Sequence, residues 1–272
     1  MKIKLLAFDF DGTILEEGMV IPEATKEKLK ELIDLGIKIS TASGRKLEDQ
    51  FKILELNGLG NKTDYPHSLI VDESRIYLLD GDEYIPLKSW NDRVSKEWQE
   101  LYPFAEEILL REIDELRKKQ EDVSIHIIGE IALVRNMVAM RFGSIEKAKE
   151  YEKILSEKLK ASDSPFWCNR NFSLVQILPP SAGKGNTVLA LSRYFGFSPD
   201  EVLVIGDSGN DIDMLDGRYG FRSATVSNAD PEIKDIVRKS GGYVARNPIS
   251  SGIIEIIDEL ILKTQERSNI RC

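Results

Sequence analysis

Cysteine is nearly absent from this sequence. Only Cys168 and Cys272 occur among its 272 residues, which excludes a disulfide scaffold and any cysteine-rich zinc centre. Histidine is equally scarce, at two residues, and a lone imidazole such as His126 makes no metal site. Glycine and proline number 19 and 10, too few for a collagen-like or low-complexity chain. No stretch approaches the roughly 18 consecutive apolar residues of a membrane-spanning helix. The apolar start, Met1 to Phe8, is short and runs into Asp9 and Asp11 with no small-residue cleavage site, so it does not read as a signal peptide. A soluble, cytoplasmic protein is expected. Positive charge is in deficit, 37 Lys and Arg against 46 Asp and Glu, for a net charge of −9. With no long basic run, neither nucleic acid nor an anionic membrane is an expected partner. An acidic chain that binds an anion needs local cations or a metal to do so.

What is present has ordinary globular proportions, 42 % apolar and 31 % charged. The length suits one large or two modest domains. Ile3–Phe8 is an almost purely apolar run, as in a strand buried on both faces of a parallel sheet. A helical pattern follows from Pro22 to Leu35, with Ala24, Leu29, Leu32 and Ile33 on one face. Next come a strand at Ile37–Thr41, a helix at Arg45–Leu56 and a strand at Ser68–Val71. This is the rhythm of a parallel α/β sheet. It changes after Asp80-Gly81-Asp82. A long amphipathic helix is predicted over Phe104–Gln120, then strands at Val123–Ile128 and Ile131–Phe142. A helix capped by Ser144 follows, with strands at Phe166–Cys168 and Phe172–Leu178. That is an α+β pattern with an antiparallel sheet. After Pro179-Pro180 the first rhythm returns, and the tail from Thr264 to Cys272 reads as frayed. The expected architecture is a Rossmann-like α/β core, residues 1–82 and 179–272, interrupted by an inserted α+β domain at 83–178.

Chemistry concentrates at the ends of the apolar strands. Asp9-Phe10-Asp11-Gly12-Thr13 follows the first strand directly, and open α/β sheets hold their active sites at the carboxyl ends of strands. Either carboxylate alone could belong to a turn that merely ends the strand. Val202–Ile205 has the same layout, followed by Gly206-Asp207-Ser208-Gly209-Asn210-Asp211. Acids on two strand ends of one sheet repel each other unless a cation intervenes. They point to Mg²⁺ held by oxygens. Ser43 and Gly44, in Thr41-Ala42-Ser43-Gly44-Arg45, offer a hydroxyl and backbone N–H groups to a phosphate at a helix start. Lys184, in Gly183-Lys184-Gly185, opens another helix, where its charge needs an anion nearby. This is no P-loop, because Gly185 stands where Ser or Thr must follow the lysine. The set supports phosphoryl transfer through an aspartyl-phosphate. Asp9 would attack phosphorus and Asp11 would act as acid, then base. Ser43, Gly44, Lys184 and Asn210 would bind phosphate, while Asp9, Asp207 and the Asp11 backbone carbonyl would hold the metal and Asp211 would support its shell.

These four segments resemble the motifs of the haloacid dehalogenase superfamily of phosphatases. The position of the insertion is similar to that of a C2-type cap. The Ala-Ser-Gly-Arg and Gly-Asp-Ser-Gly-Asn-Asp wording is similar to the Cof-like and sucrose-phosphatase-like branches. The resemblance implies an Mg²⁺-dependent hydrolase of a small phosphorylated metabolite, a sugar phosphate above all, with Asp9 as nucleophile and Asp11 as acid/base. One departure is Asp72-Glu73-Ser74, where Cof-like relatives often carry Asn-Gly. A cap would select the leaving group, and His126, Arg135, Asn136, Arg141, Asn169, Arg170 and Asn171 suit hydroxyls or carboxylates. The plainer reading makes these the solvated face of a two-sided sheet. Trp90, Trp98 and Trp167 read as packing residues, and Cys168 as a small buried hydrophobe. Two other functions fit less of the pattern: a sugar-phosphate mutase, and a catalytically silent sugar-phosphate-binding module.

Overall fold

The structure, a computed structural model, describes residues 2–60 and 63–263. The expected frayed tail, with Cys272, lies outside the described residues. The chain divides into two compact units, one running to Leu87 and resuming at Lys184, the other spanning Lys88–Gly183. The divisions fall at 87/88 and 183/184, each beyond the boundary read from the sequence.

The first unit opens with β1 (Leu5–Phe8), α1 (Glu23–Asp34), β2 (Lys38–Ala42), α2 (Leu47–Leu56) and β3 (Ser68–Val71). Each of these three strands is buried along nearly its whole length. That explains their continuous apolar character, since neither face meets water. α1 turns Thr25, Leu29 and Leu32 inward, and Ala24 is exposed, contrary to expectation. Two strands unforeseen in the sequence follow, β4 (Arg75–Asp80) and β5 (Glu83–Pro86), paired antiparallel with Asp80 opposite Glu83. Gly81-Asp82 is therefore the two-residue loop of a hairpin, with Gly81 at φ 57°, a backbone that suits glycine. This hairpin extends the first sheet and moves the boundary to 88.

The second unit contains α3 (Lys88–Lys118), β6 (Val123–Ile127), α4 (Glu130–Arg135), β7 (Val138–Phe142), α5 (Ile145–Ala161), β8 (Trp167–Asn171) and β9 (Leu174–Leu178). α3 begins well before Phe104 and runs through Pro103. A proline leaves the carbonyl four residues back unpaired. Here that carbonyl belongs to Gln99, on the exposed side of the helix like Pro103 itself. The buried stripe of Trp90, Val94, Trp98, Ala105, Leu109, Ile113 and Leu116 continues across it. Ile131–Val134, expected as strand, is helix: of α4 only Ala132 is buried. Gly129 at φ 66° and Asn136 at φ 53° bound the turn. The sheet is antiparallel in the order β6-β7-β9-β8, and α3 and α5 pack on it. Ser144 caps α5 by accepting the Lys147 N–H at 3.2 Å.

Back in the first unit come α6 (Lys184–Tyr194), β10 (Val202–Ile205), α7 (Ile212–Leu215), β11 (Arg222–Thr225), α8 (Pro231–Lys239), β12 (Tyr243–Val244) and α9 (Ile249–Ile257), which a short helical segment, Asp258–Leu262, follows. The sheet order is β12-β11-β10-β1-β2-β3-β4-β5. The first six strands are parallel. Strand order reverses between β1 and β10, so the crevice outside their carboxyl ends is the topological switch point, where open α/β sheets bind ligands. Among the described residues no helix is long and apolar enough to cross a membrane.

Candidate active site

β1 and β10 run side by side, with Phe8 in register with Ile205. The pairing continues one residue further, the Asp9 N–H donating to the Ile205 carbonyl at 3.0 Å. Asp9 and Asp207 thus leave adjacent strands at one edge of the sheet. Alternation turns Phe10, fully buried, into the core. The Phe10 carbonyl then accepts the N–H groups of Thr13, Ile14 and Leu15, closing a tight turn. Gly12 sits in that turn at φ 71°, and a Cβ there would land on the Asp207 carboxylate. Glycine is required both for the backbone and for the approach of Asp207. The Thr13 hydroxyl donates to Asp207 Oδ1 at 2.7 Å.

Asp9, Asp207 and Asp211 each bring a carboxylate oxygen within 4.8 Å of the others. Asp211 is committed to the protein. Its Oδ2 accepts the N–H groups of Asp207 and Ser208 at 2.9 and 3.0 Å, and its Oδ1 takes the Lys184 ammonium at 2.6 Å. Lys184 is fully buried, and its Nζ also lies 3.0 Å from Asp9 Oδ1. Burial opposes its charge, but Asp211, Asp9 and Glu73 outweigh burial and raise its proton affinity above that of an ordinary lysine. Asp9 Oδ1, though beside that ammonium, is buried without a well-formed hydrogen bond. Burial drives the Asp9 carboxyl well above the usual carboxylate range; Lys184 opposes this, and Asp211, Asp207 and Asp11 add to it. Burial and then Asp211 push Asp207 up to about 7. Crowded, desolvated carboxylates of this kind either take up protons or bind a cation. An all-oxygen donor set with an unsatisfied Asp9 oxygen fits a hard divalent ion.

Asp11 stands at the rim, half-buried, with the Arg45 guanidinium clamped on both its oxygens at 2.6 and 2.7 Å. Its carboxylate is not part of the acidic trio. Ser43 is buried at the end of β2, and its hydroxyl accepts the Arg45 N–H at 3.2 Å. The helix expected from Arg45 begins at Leu47, and the Ser43 N–H donates to the Ile70 carbonyl at 3.2 Å. The Asn210 amide, expected to meet phosphate, is held at both ends, accepting from the Ser208 hydroxyl at 2.9 Å and donating to Glu73 at 2.8 Å.

Sequence reasoning did not foresee parts for Thr13, Arg45 and Glu73. For Glu73 the signal was available, since Asp72-Glu73 follows a buried parallel strand as Asp9 and Asp207 do. In the second unit His126 and Arg141 are exposed and 3.3 Å apart, as a solvated face requires. Asn169 is buried with Gln176, and Arg170 is buried 3.6 Å from Glu152. These two are interior rather than solvated, because each finds a polar partner there. Trp98 is fully buried, its Nε1 donating to the Ala132 carbonyl at 2.8 Å. Burial pushes the Cys168 thiol up to about 12, leaving it an inert hydrophobe.

A doubly wound sheet with cation-seeking carboxylates and a buried lysine at its switch point defines an α/β enzyme handling an anionic group. Residues 6–64 match the family described as haloacid dehalogenase-like hydrolase, and residues 143–259 match sucrose-6F-phosphate phosphohydrolase. The chain is 25 % identical to a 5-amino-6-(5-phospho-D-ribitylamino)uracil phosphatase of Bacillus subtilis, over 95 % of this chain and 98 % of the relative. It is 25 % identical to the HMP-PP phosphatase of Klebsiella pneumoniae, over 85 % and 86 %. Its fold matches the sucrose-phosphatase of Synechocystis, solved with sucrose and phosphate, at a TM-score of 0.72 and 23 % identity, covering 95 % of this chain and 98 % of that one. By these two partial family matches, relatives and fold, the chain is similar to the phosphatases of the haloacid dehalogenase superfamily.

Proposed function

We propose that this phosphatase hydrolyses a small phosphorylated metabolite, a sugar phosphate by preference, through a covalent aspartyl-phosphate on Asp9. The observation that carries the reading is the meeting of Asp9 and Asp207 at adjacent strand ends, with Lys184 buried against Asp9 and Asp211. An Asp9 oxygen attacks phosphorus, the new P–O bond forms, and the bond to the leaving oxygen breaks. Asp11 supplies that oxygen's proton, letting go of one Arg45 hydrogen bond to do so. Water then attacks the phospho-enzyme, Asp11 takes its proton, and the Asp9–phosphorus bond breaks to release phosphate. Lys184 neutralises the carboxylates that would otherwise repel the ester, and the Ser43 hydroxyl offers a donor to a phosphate oxygen. Asp9 and Asp207 would hold Mg²⁺, which would supply positive charge to offset that of the phosphate. Asp211 and Asn210 fix the loop that carries Asp207. The unit at 88–183 acts as the cap that chooses the leaving group. The sugar-phosphate preference is supported by the sucrose-6F-phosphate phosphohydrolase match, which includes residues of that unit.

A panel of phosphorylated metabolites, with released phosphate as readout, tests this. The expected result is release from one or more sugar phosphates in the presence of Mg²⁺, abolished by chelator and by Asp9→Asn. Conversion of a sugar phosphate to its positional isomer without phosphate release would overturn it in favour of a mutase. Turnover by Asp9→Asn near the wild-type rate would refute the covalent route.

A further inference from the structure

Asp72 and Glu73 follow β3 at the sheet edge that carries Asp9 and Asp207. Both are fully buried, and both adopt left-handed backbone, φ 49° and 59°. Such a backbone is strained for residues with a Cβ, and strained residues persist only where surrounding contacts hold them. Burying a carboxylate adds a desolvation cost. Glycine would avoid both penalties, so the contacts made by Glu73 are what its presence has to explain.

Those contacts reach three other segments of the site. The Glu73 N–H donates to the Ser43 carbonyl at 3.1 Å. Its carbonyl accepts the Thr187 hydroxyl at 2.9 Å, one turn along α6 from Lys184. Its side-chain Oε1 accepts the Asn210 amide at 2.8 Å. The other end of that amide takes the Ser208 hydroxyl, which completes a path from β3 to the loop bearing Asp207 and Asp211. A backbone clasp alone would serve any residue at 73. The carboxylate adds a link to Asn210 that depends on side-chain identity, beside the support its charge gives the Lys184 ammonium.

We propose that Glu73 is a positioning residue: its carboxylate anchors Asn210 and, through it, holds the 207–211 loop in place against Asp9 and Lys184. This rests on the phosphatase reading for its kinetic consequence, not for its geometry. The test uses the full chain with Glu73→Gln and Glu73→Asn. Gln keeps an oxygen at the same reach. Asn tolerates left-handed backbone but is one methylene too short to reach Asn210. Hydrogen exchange across residues 206–212 reads loop position without substrate or metal, and kcat and KM are read with an aryl phosphate. In Glu73→Asn, exchange across the loop should rise about tenfold or more and kcat should fall by a similar factor, as expected for a lost charge-assisted hydrogen bond. KM should change little, and Glu73→Gln, which keeps the bond to Asn210, should hold loop exchange within about threefold of wild type. Unchanged loop exchange in Glu73→Asn overturns the proposal, whatever happens to kcat. So does a uniform rise in exchange over the whole chain, which would mark a merely structural residue. If the wild type hydrolyses no phosphate ester, the phosphatase reading fails, and the exchange comparison still decides Glu73.

Discussion

Replacing Asp207 with asparagine should make the metal-free protein more stable while destroying its activity. The folded Asp207 carboxyl holds its proton up to about 7, against 3.8 for a free side chain, chiefly because it is buried and faces Asp211. Between those values the folded state binds more protons than the unfolded state, so this group's contribution to stability falls as pH rises. At 1.4 kcal/mol per pH unit the loss reaches at most about 4 kcal/mol by pH 8. Asparagine carries no charge and keeps an oxygen for the Thr13 hydroxyl. In chelator at pH 8, Asp207→Asn should therefore melt later by up to about 8–16 °C, taking 2–4 °C per kcal/mol for a protein of this size. The advantage should vanish by about pH 4. Mg²⁺ at a hundredfold excess over its dissociation constant should remove most of that advantage, since the wild type gains about 3 kcal/mol and the variant gains little. Differential scanning calorimetry across pH, with and without Mg²⁺, reads all of this. An Asp207→Asn protein less stable than wild type in chelator at pH 8, or equally stabilised by Mg²⁺, would refute the electrostatic argument.

Gly12→Ala places a Cβ on the Asp207 carboxylate and should lower kcat by about a hundredfold with ~1–3 kcal/mol of lost stability. Gly36→Ala, at φ 79° with open space around it, should cost only about 1 kcal/mol and leave kcat intact; comparable kinetics in the two variants would contradict the close-approach argument. His67 is the stability switch at acid pH. Burial and then Lys38 hold it near 4, below its ordinary 6.5, and its Nδ1 accepts the Ile39 N–H at 3.0 Å. Its contribution is present above pH 6.5 and is lost as pH falls toward 4, by ~1–2 kcal/mol after allowance for its partial exposure. The urea-unfolding difference between wild type and His67→Asn should narrow by that amount between pH 7.5 and pH 4.

The parallel core was legible because its strands are buried on both faces, so Leu5–Phe8, Ser68–Val71 and Val202–Ile205 stand out as continuous apolar runs. The β4–β5 hairpin was not, because Arg75, Tyr77 and Leu79 are half-exposed and Glu83–Pro86 is mostly exposed. Ile131–Val134 read as strand from its apolar, β-branched composition. Its helical form is set by the left-handed residues at Gly129 and Asn136, and tertiary context overrode propensity. In the site, Asp9 and Asp207 were visible as acids at the ends of apolar strands. The clamp of Arg45 on Asp11, and the link from Glu73 to Asn210, were not. Both join residues far apart along the chain, and only the sheet order brings their segments together.

The claim on which the account rests is that Asp9 becomes phosphorylated. The most direct measurement is acid quench of the Asp11→Asn enzyme with an aryl phosphate, whose leaving group needs no proton, followed by borohydride reduction and peptide mass spectrometry. The account predicts homoserine at position 9, formed by reduction of the acyl phosphate. Aryl alcohol release with an unmodified residue 9, or modification at any other residue, would contradict it.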